Sequence, residues 1–575
     1  MRTRKSFKQY LQATAIIFQL FFLPASWASS PSSSIPGIIF QSPANGDTYV
    51  PQRTTLIVRV AKNSSQRVDQ GDFDFQVRGQ LSGDHTGQVV IADDNETIIF
   101  KPESPFITGE RVDIQFSSKS LENFARVSYS FQITPMSEAE QISRIQASRE
   151  SERAEIQKQQ INAALSGPDD SIKLPRYIVN VAIPDKIGEG DIFTARNGNE
   201  AYLEILDNEA SPLYQFQLFN PPCQDFRPWG NKYYSYIYSE QAYLLDANHN
   251  PIRNYSCGNG YHTDDHEFQL LPNGHALLMA VDIRDTDMRI ITGDPTATPH
   301  GTVIGSIFQE VDSNNNVVFQ WRSWDHFEIS DAVKLDIHDP NLRTIDYCHM
   351  NSLEQDADGN IIVSSRRMEE VTKINRTNGK IIWRWGGKNN MFVFAGNALP
   401  FSAQHDARRL ANGHITLMDN GNYHSTTWGD GSEHDTAWSR AIEYDLDESS
   451  LLATPVWEYN NIDYTSAAGN VQRLPNGNTF IMCGPIGGQK AVEVTPDGEK
   501  VFQLSYPIGG FSYRAFRYPI PPTGSTSVSA ASTETNALML NGIYPNPAIN
   551  SATLSFGSQV EGTARIEVLD ILGHS

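Results

Sequence analysis

The stretch Leu271-Pro272-Asn273-Gly274-His275-Ala276-Leu277-Leu278-Met279 decides the fold, because the chain repeats it. It returns as Asp356-Ala357-Asp358-Gly359-Asn360-Ile361-Ile362-Val363, as Leu410-Ala411-Asn412-Gly413-His414-Ile415-Thr416-Leu417, and as Leu474-Pro475-Asn476-Gly477-Asn478-Thr479-Phe480-Ile481. Asn-Gly and Asp-Gly supply the positive φ angles of a tight hairpin turn, and each is followed by a short apolar run rich in β-formers. A second phrase alternates with the first: a strand, a turn, then a strand ending in an aromatic. Examples run from Glu310-Val311-Asp312 to Phe319-Gln320-Trp321, from Val371–Asn375 to Ile382-Trp383-Arg384-Trp385, and from Ile442-Glu443-Tyr444 to Val456-Trp457-Glu458-Tyr459. The turn glycines 274, 359, 413 and 477 lie 85, 54 and 64 residues apart, room for about four strands and their loops. Residues 171–520 then hold roughly five to seven such units, and four-stranded sheets repeated radially at this period make a β-propeller. Two stacked sandwiches would use the same strands but would not return one phrase to one place in each unit.

Outward from the repeat, residues 36–135 alternate apolar and polar, as in Thr55–Val60 and Glu96–Phe100, with frequent turns. That pattern suits a small β-sandwich. Residues 136–170 read as a linking helix: Ser137 and Glu140 have the capping-box spacing, and neither Pro nor Gly interrupts 137–164. Its sparse apolar stripe (Ile142, Ile145, Ile156) predicts an exposed helix. At the start, Arg2, Arg4 and Lys5 precede the apolar Ala13–Pro24 and the small-x-small Ser26-Trp27-Ala28, so residues 1–28 read as an export signal. Export places the protein in a periplasmic, cell-surface or extracellular setting and permits a disulfide, for which Cys223 and Cys257 are the candidates. Cys348 and Cys483 sit in apolar runs and read as core thiols. A Ser/Thr-rich linker over 521–541 precedes Tyr544-Pro545-Asn546-Pro547. Residues 542–575 resemble the start of a type IX secretion C-terminal sorting domain, which implies that secretion machinery as a partner.

The whole chain has 575 residues, more than one core normally organises. Hydrophobic residues at 39 % exclude a disordered chain. Sixty-seven acidic against 45 basic residues give a formal charge of −22, which repels nucleic acid. No stretch after the leader is apolar for long enough to span a membrane as a helix.

Polar residues recur at one place in the units, where the first strand begins: Asp265-His266-Glu267, His349-Met350-Asn351, Gln404-His405-Asp406 and Asn470-Val471-Gln472. Innermost strands of a propeller line its channel, so His266, His349 and His405 would converge, with Gln404 and Asn470 as further binding residues. Three imidazoles suit zinc, but Arg366, at the far end of the His349 hairpin, would repel a cation. With Arg366 and Asn351 the set suits the oxygens of a sulfate or phosphate ester. A third reading, that each His only satisfies buried backbone groups, fits one histidine better than three in phase.

These words resemble the bacterial aryl-sulfate sulfotransferases: His266-Glu267-Phe268 with Leu271-Pro272-Asn273-Gly274, Asp346–Ser352 running to Ser364-Ser365-Arg366, Gln404–Leu410, and Ser439-Arg440-Ala441 with Val456–Tyr459. The resemblance spans about 171–520 and implies a six-bladed propeller behind an N-terminal β-domain, often homodimeric, needing neither cofactor nor metal. It implies aryl sulfates and phenols as substrates and ping-pong transfer with His405 as nucleophile. His266, His349, Asn351 and Arg366 then bind the sulfuryl group, and His266 or His349 handles the proton. The histidine tautomer would be fixed by Asp406 or a backbone carbonyl. Two departures stand out: the segment after Asn360 is one residue short, leaving Arg366 or Arg367 as candidate, and the family's later-blade threonine has no match near 469–472.

Trp383, Trp385 and Trp457 read as packing between blades. Asp356, Asp358 and Asn360 resemble a calcium loop, but the Asp-Gly turn accounts for them. No phosphate-cradling glycine loop appears in 171–520, consistent with a donor that is not a nucleotide. A binding propeller without turnover, or a hydrolase releasing free sulfate, are the competing functions.

Overall fold

The computed structural model describes residues 37–61, 70–119, 126–150, 177–198, 201–218, 222–333, 342–424, 437–484, 490–507 and 510–520, with the backbone of 539–544 and 553–557. The leader over 1–28, the linker core and most of the sorting tail lie outside them. Among the described residues the chain is overwhelmingly β, with antiparallel sheets arranged in a propeller-like manner.

Two four-stranded antiparallel sheets form the N-terminal region. Leu56, Val58 and Phe100 of one meet Val112, Ile114, Phe116 and Phe131 of the other in a common core. Period-2 alternation puts these side chains on the inner faces.

Six further sheets follow, each with four antiparallel strands at its heart. Their hairpins join strands of 191–218, 223–255, 263–322, 350–386, 405–459 and 470–505. The ends of the chain close the set. Ala515–Tyr518 pairs with Asp191–Arg196, completing the first sheet, and Ile178–Ala182 adds to Lys500–Ser505 on the last. The innermost strands are Cys223–Trp229, Thr263–Leu270, Met350–Gln355, His405–Arg409, Asn470–Arg473 and Ala515–Tyr518.

The repeated phrase forms the first hairpin of four sheets, in a form that differs from the expected two-residue turn. Only the glycine takes positive φ (Gly274 +82°, Gly359 +84°, Gly413 +92°, Gly477 +88°). The loop closes one residue wider, with Leu271 N donating to His275 O and Gly274 N to Leu271 O, and likewise at the other three. The residue before the glycine serves through its side chain: Asn273, Asp358, Asn412 and Asn476 each accept a backbone N–H two residues on. This is the Asx turn that short polar side chains favour.

Trp383 and Trp385 are buried in a core shared with Phe401, Leu417 and Tyr444, between the fourth and fifth sheets. Trp457 is half-buried and donates to Pro496 O. Asp356 and Asp358 pair with a cation of the chain itself: Lys373 Nζ lies 2.7 and 2.9 Å from their carboxylates. All four cysteines are free thiols, which corrects the Cys223–Cys257 pairing. Cys223 Sγ turns to Tyr202 O and Cys257 Sγ to Met279 O, so each thiol faces a carbonyl of a different segment.

The linking helix is described over 138–150. Ser137 Oγ accepts from Glu140 N, as its spacing predicts. As the sparse apolar stripe predicts, the described helix is mostly exposed; Ile145 is its one buried residue, packed with Met136 against Ile283 and Ile304 of the third sheet. One buried isoleucine suffices because Arg144 and Arg149 fix the helix on either side of it, Arg144 to Asp285 and Arg149 to Glu240. Beyond Pro521 the tail is a separate unit, described as one antiparallel pair, Met539–Tyr544 with Thr553–Gly557.

Candidate active site

Four innermost strands break register where the polar residues sit: between Gln224 and Arg227, Thr263 and Phe268, Met350 and Ser352, and His405 and Arg408. A bulge releases residues from the ladder and re-aims them. Asp225, His349, Ala403 and Asp406 take positive φ at or beside these breaks, between +50° and +57°. Such strained backbone in non-glycine residues is held only where surrounding contacts over-determine it.

These breaks bring His266, His349 and His405 together. The rings of His266 and His349 lie 5.2 Å apart, edge to face. Tyr513 lies between the imidazoles, 5.2 Å from His266 and 6.0 Å from His405. Arg366 donates its backbone N–H to His349 O and Nη2 to Ser466 O, and its charge reaches His405. The group that acts on His405 is therefore Arg366 rather than Arg367.

Each imidazole has its Nδ1 engaged by an oxygen. His266 Nδ1 donates to Asp264 Oδ1 at 2.5 Å, and His349 Nδ1 to Asp346 Oδ2 at 2.5 Å. Burial opposes both carboxylates, yet His266 holds Asp264, and His349 holds Asp346, below the usual carboxylate range. His405 differs. Its Nδ1 lies 2.7 Å from Asn420 Oδ1 and 3.1 Å from Ala403 O. Asn420 Nδ2 donates to Thr465 O and Ala468 O, which fixes the amide's orientation. Nδ1 thus faces two acceptors and carries the proton, and Nε2 carries the lone pair. Burial first, then the charge of Arg366, pushes the His405 pKa well below 6.5, so the ring is neutral at pH 7.

Asp406, one of the two tautomer candidates, does not touch the imidazole. It joins a largely buried belt of charged groups. Arg514 lies 3.2 Å from Asp225, 3.1 Å from Glu267 and 3.2 Å from Asp406. Arg408 bridges Glu267 and Asp406, and Arg227 bridges Asp225 and Glu267. Three guanidiniums against three carboxylates leave no formal charge, the condition for burying them.

Asn351 Nδ2 donates to Gln404 O, while Asn351 O accepts from Arg514 Nη2 at 2.6 Å. Asn351 Oδ1 and Asn470 Nδ2 are buried without a protein hydrogen-bond partner. Gln404 is placed differently from the other candidates: its amide donates to Ser364 Oγ, Ser365 O and Glu370 O, joining the fourth and fifth sheets. Sequence reasoning missed Asn420, Tyr513 and Arg514, which no spacing marks. It also missed Asp264 and Asp346, although their places two and three residues before their histidines could have marked them. Asp264, Asp265 and His266 are near enough to share a cation. Arg149 acts on both carboxylates and Asp264 already accepts from His266, so the set is better suited to a proton than to a metal.

The family model for arylsulfotransferase (ASST) matches residues 185–514. No curated protein matches the chain. Among solved structures, a protein of unknown function from Bacteroides caccae is 14 % identical over 57 % of this chain and 98 % of its own, at a TM-score of 0.36. A streptogramin B lyase is 9 % identical over 58 % and 89 %, at 0.30. A quinonprotein alcohol dehydrogenase-like protein from Bacteroides thetaiotaomicron is 10 % identical over 83 % and 97 %, at 0.27.

Proposed function

The chain belongs to the arylsulfotransferase family, and on that premise we propose that it moves a sulfuryl group from a phenolic sulfate ester to a phenol through a sulfated His405. The observation that carries this reading is the His405 tautomer, a neutral ring with Nδ1 held by Asn420 and Ala403. Nε2 attacks sulfur as the S–O(aryl) bond breaks, and the departing oxygen keeps the electron pair. The ring becomes cationic at that moment, and its Nδ1 proton already has two acceptors. His266 or His349, each backed by a carboxylate, gives the leaving phenolate a proton and later takes one from the acceptor, whose oxygen attacks sulfur as the N–S bond breaks. Arg366, with the amides of Asn351 and Asn470, favours a transition state whose charge spreads over three equatorial oxygens. Tyr513, whose phenol burial holds well above its ordinary pKa, stays neutral and forms a wall.

In the same reading the six sheets are six blades, the N-terminal pair of sheets is a sandwich, and the protein is exported by its leader with the tail addressing type IX machinery. A homodimer is the assembly this family implies.

Incubation with a chromogenic aryl sulfate tests the chemistry. Coloured phenol should appear only with a phenol acceptor, and His405→Ala should lower the rate by on the order of 10³-fold or more. A sulfated peptide containing His405 should be trapped when acceptor is withheld. Unaltered turnover in His405→Ala rejects the reading, and release without acceptor makes the protein a hydrolase.

A further inference from the structure

The turn that follows Ile415–Asp419 carries two asparagines, Asn420 and Asn422, on either side of Gly421. It is tied at three points to Ser402, on the approach to His405. Gly421 N donates to Ser402 O, Tyr423 N to Ser402 Oγ, and Ser402 N to Asp419 Oδ1. Both asparagines then reach the segment that leads into Asn470–Arg473. Asn420 Nδ2 donates to Thr465 O and Ala468 O, and Asn422 Nδ2 donates to Ser466 O at 2.9 Å. The same Ser466 carbonyl accepts from Arg366 Nη2 at 3.1 Å. Its oxygen thus takes one donor from Asn422 and one from the guanidinium, filling two lone pairs.

Asn422 is buried, and its Oδ1 has no hydrogen-bond partner among the described residues. A buried acceptor left unpaired costs stability, a cost that a leucine of similar size would avoid. What the asparagine adds is the donor to Ser466 O. We propose that Asn422 is a positioning residue that holds the guanidinium of Arg366 through the Ser466 carbonyl. One turn then fixes the nucleophile with its first amide and the sulfuryl-binding cation with its second. The role of Arg366 toward a sulfuryl group rests on the sulfotransferase reading; the shared carbonyl does not. A guanidinium held in advance gives up no further freedom as charge develops on the sulfuryl oxygens, and its other N–H groups stay aimed. After burial, the charge of Arg366 acts most on His405, ahead of His349 and His266, so a guanidinium that drifts also alters the nucleophile.

The test is calorimetric binding of inorganic sulfate to the full chain, which needs no turnover. Asn422→Leu should weaken sulfate binding about tenfold. Its melting temperature should fall by no more than about 2 °C, because Ser466 O keeps Arg366 and the unpaired acceptor is gone. In an Arg366→Gln background the same change should cost less than about twofold, since Asn422 acts through the guanidinium. The acid limb of kcat/KM should move to higher pH in Asn422→Leu, because the His405 pKa rises as the Arg366 charge recedes. Asn422→Ala carries the test if the leucine variant does not fold. A wild type that binds no sulfate, equal losses with and without Arg366, or an unmoved acid limb overturns the proposal. Sulfate binding that follows Asn422 in a protein without transfer activity would instead reject the transferase reading alone.

Discussion

Asn420 shows how one amide can set the chemistry of a nucleophile. Amide and carbonyl oxygens accept the Nδ1 proton of His405 without adding negative charge, so the ring keeps its lone pair on Nε2 and its low pKa. A carboxylate in the same place would stabilise the imidazolium. Asn420→Asp should therefore raise the His405 pKa and move the acid limb of the kcat/KM profile to higher pH, because the reactive form is the neutral ring. An unmoved limb would show that Asn420 does not govern that proton. Asn420→Ala removes the acceptor and should slow transfer by roughly ten- to a hundredfold, the equivalent of about 1–3 kcal/mol for a buried group left unpaired.

Two kinds of glycine separate at the scale of strands and turns. At Gly413 φ is +92° and a Cβ would meet nothing, so Gly413→Ala should cost only about 1–2 kcal/mol by denaturant titration and leave activity intact. At Gly421, φ +65°, a Cβ would overlap Trp438 O and the His424 ring. Gly421→Ala should cost more and reduce turnover as well, since it displaces the neighbouring Asn420. The innermost strands depend in turn on their buried belt. Arg514→Leu leaves Asp225, Glu267 and Asp406 short of one partner and Asn351 O without its nearer donor. Breaking such a set by removing one member costs about 3–5 kcal/mol. A variant as stable as wild type would show that the belt is not held by charge.

Across the molecule, the N-terminal region is fastened to the repeated sheets partly by a histidine. His275 Nδ1 lies 2.6 Å from Glu310, and Nε2 lies 2.7 Å from Asp93 of the N-terminal region. Burial opposes the imidazolium, but the two carboxylates raise the His275 pKa from 6.5 to about 8. The folded pKa lies above the unfolded one, so this contribution is complete below about pH 6.5 and is lost as pH rises through 8. The melting-temperature difference between wild type and His275→Gln should therefore be largest near pH 6 and shrink by pH 9. A constant difference would mean that His275 contributes packing alone.

The repeat was legible because a hairpin turn makes local demands: Gly274, Gly359, Gly413 and Gly477 are each needed for a backbone angle within a few residues. The phase of His266, His349 and His405 was legible for the same reason, being counted from those glycines. What a local rule cannot state is which distant atoms meet. Asn420 reaches His405 because it follows Ile415–Asp419, the hairpin partner of the His405 strand, and is held there by Thr465 O and Ala468 O; Tyr513 and Arg514 arrive just before Ala515–Tyr518, and Gln404 turns from the histidines to join two sheets. The helix over 138–150 was visible from its cap, but its seat on the third sheet depended on Arg144 and Arg149 finding Asp285 and Glu240. Sequence determined the strands, turns and residue types. Tertiary structure decided tautomers, charge pairing and walls, because those depend on distances between segments that the order of residues leaves open.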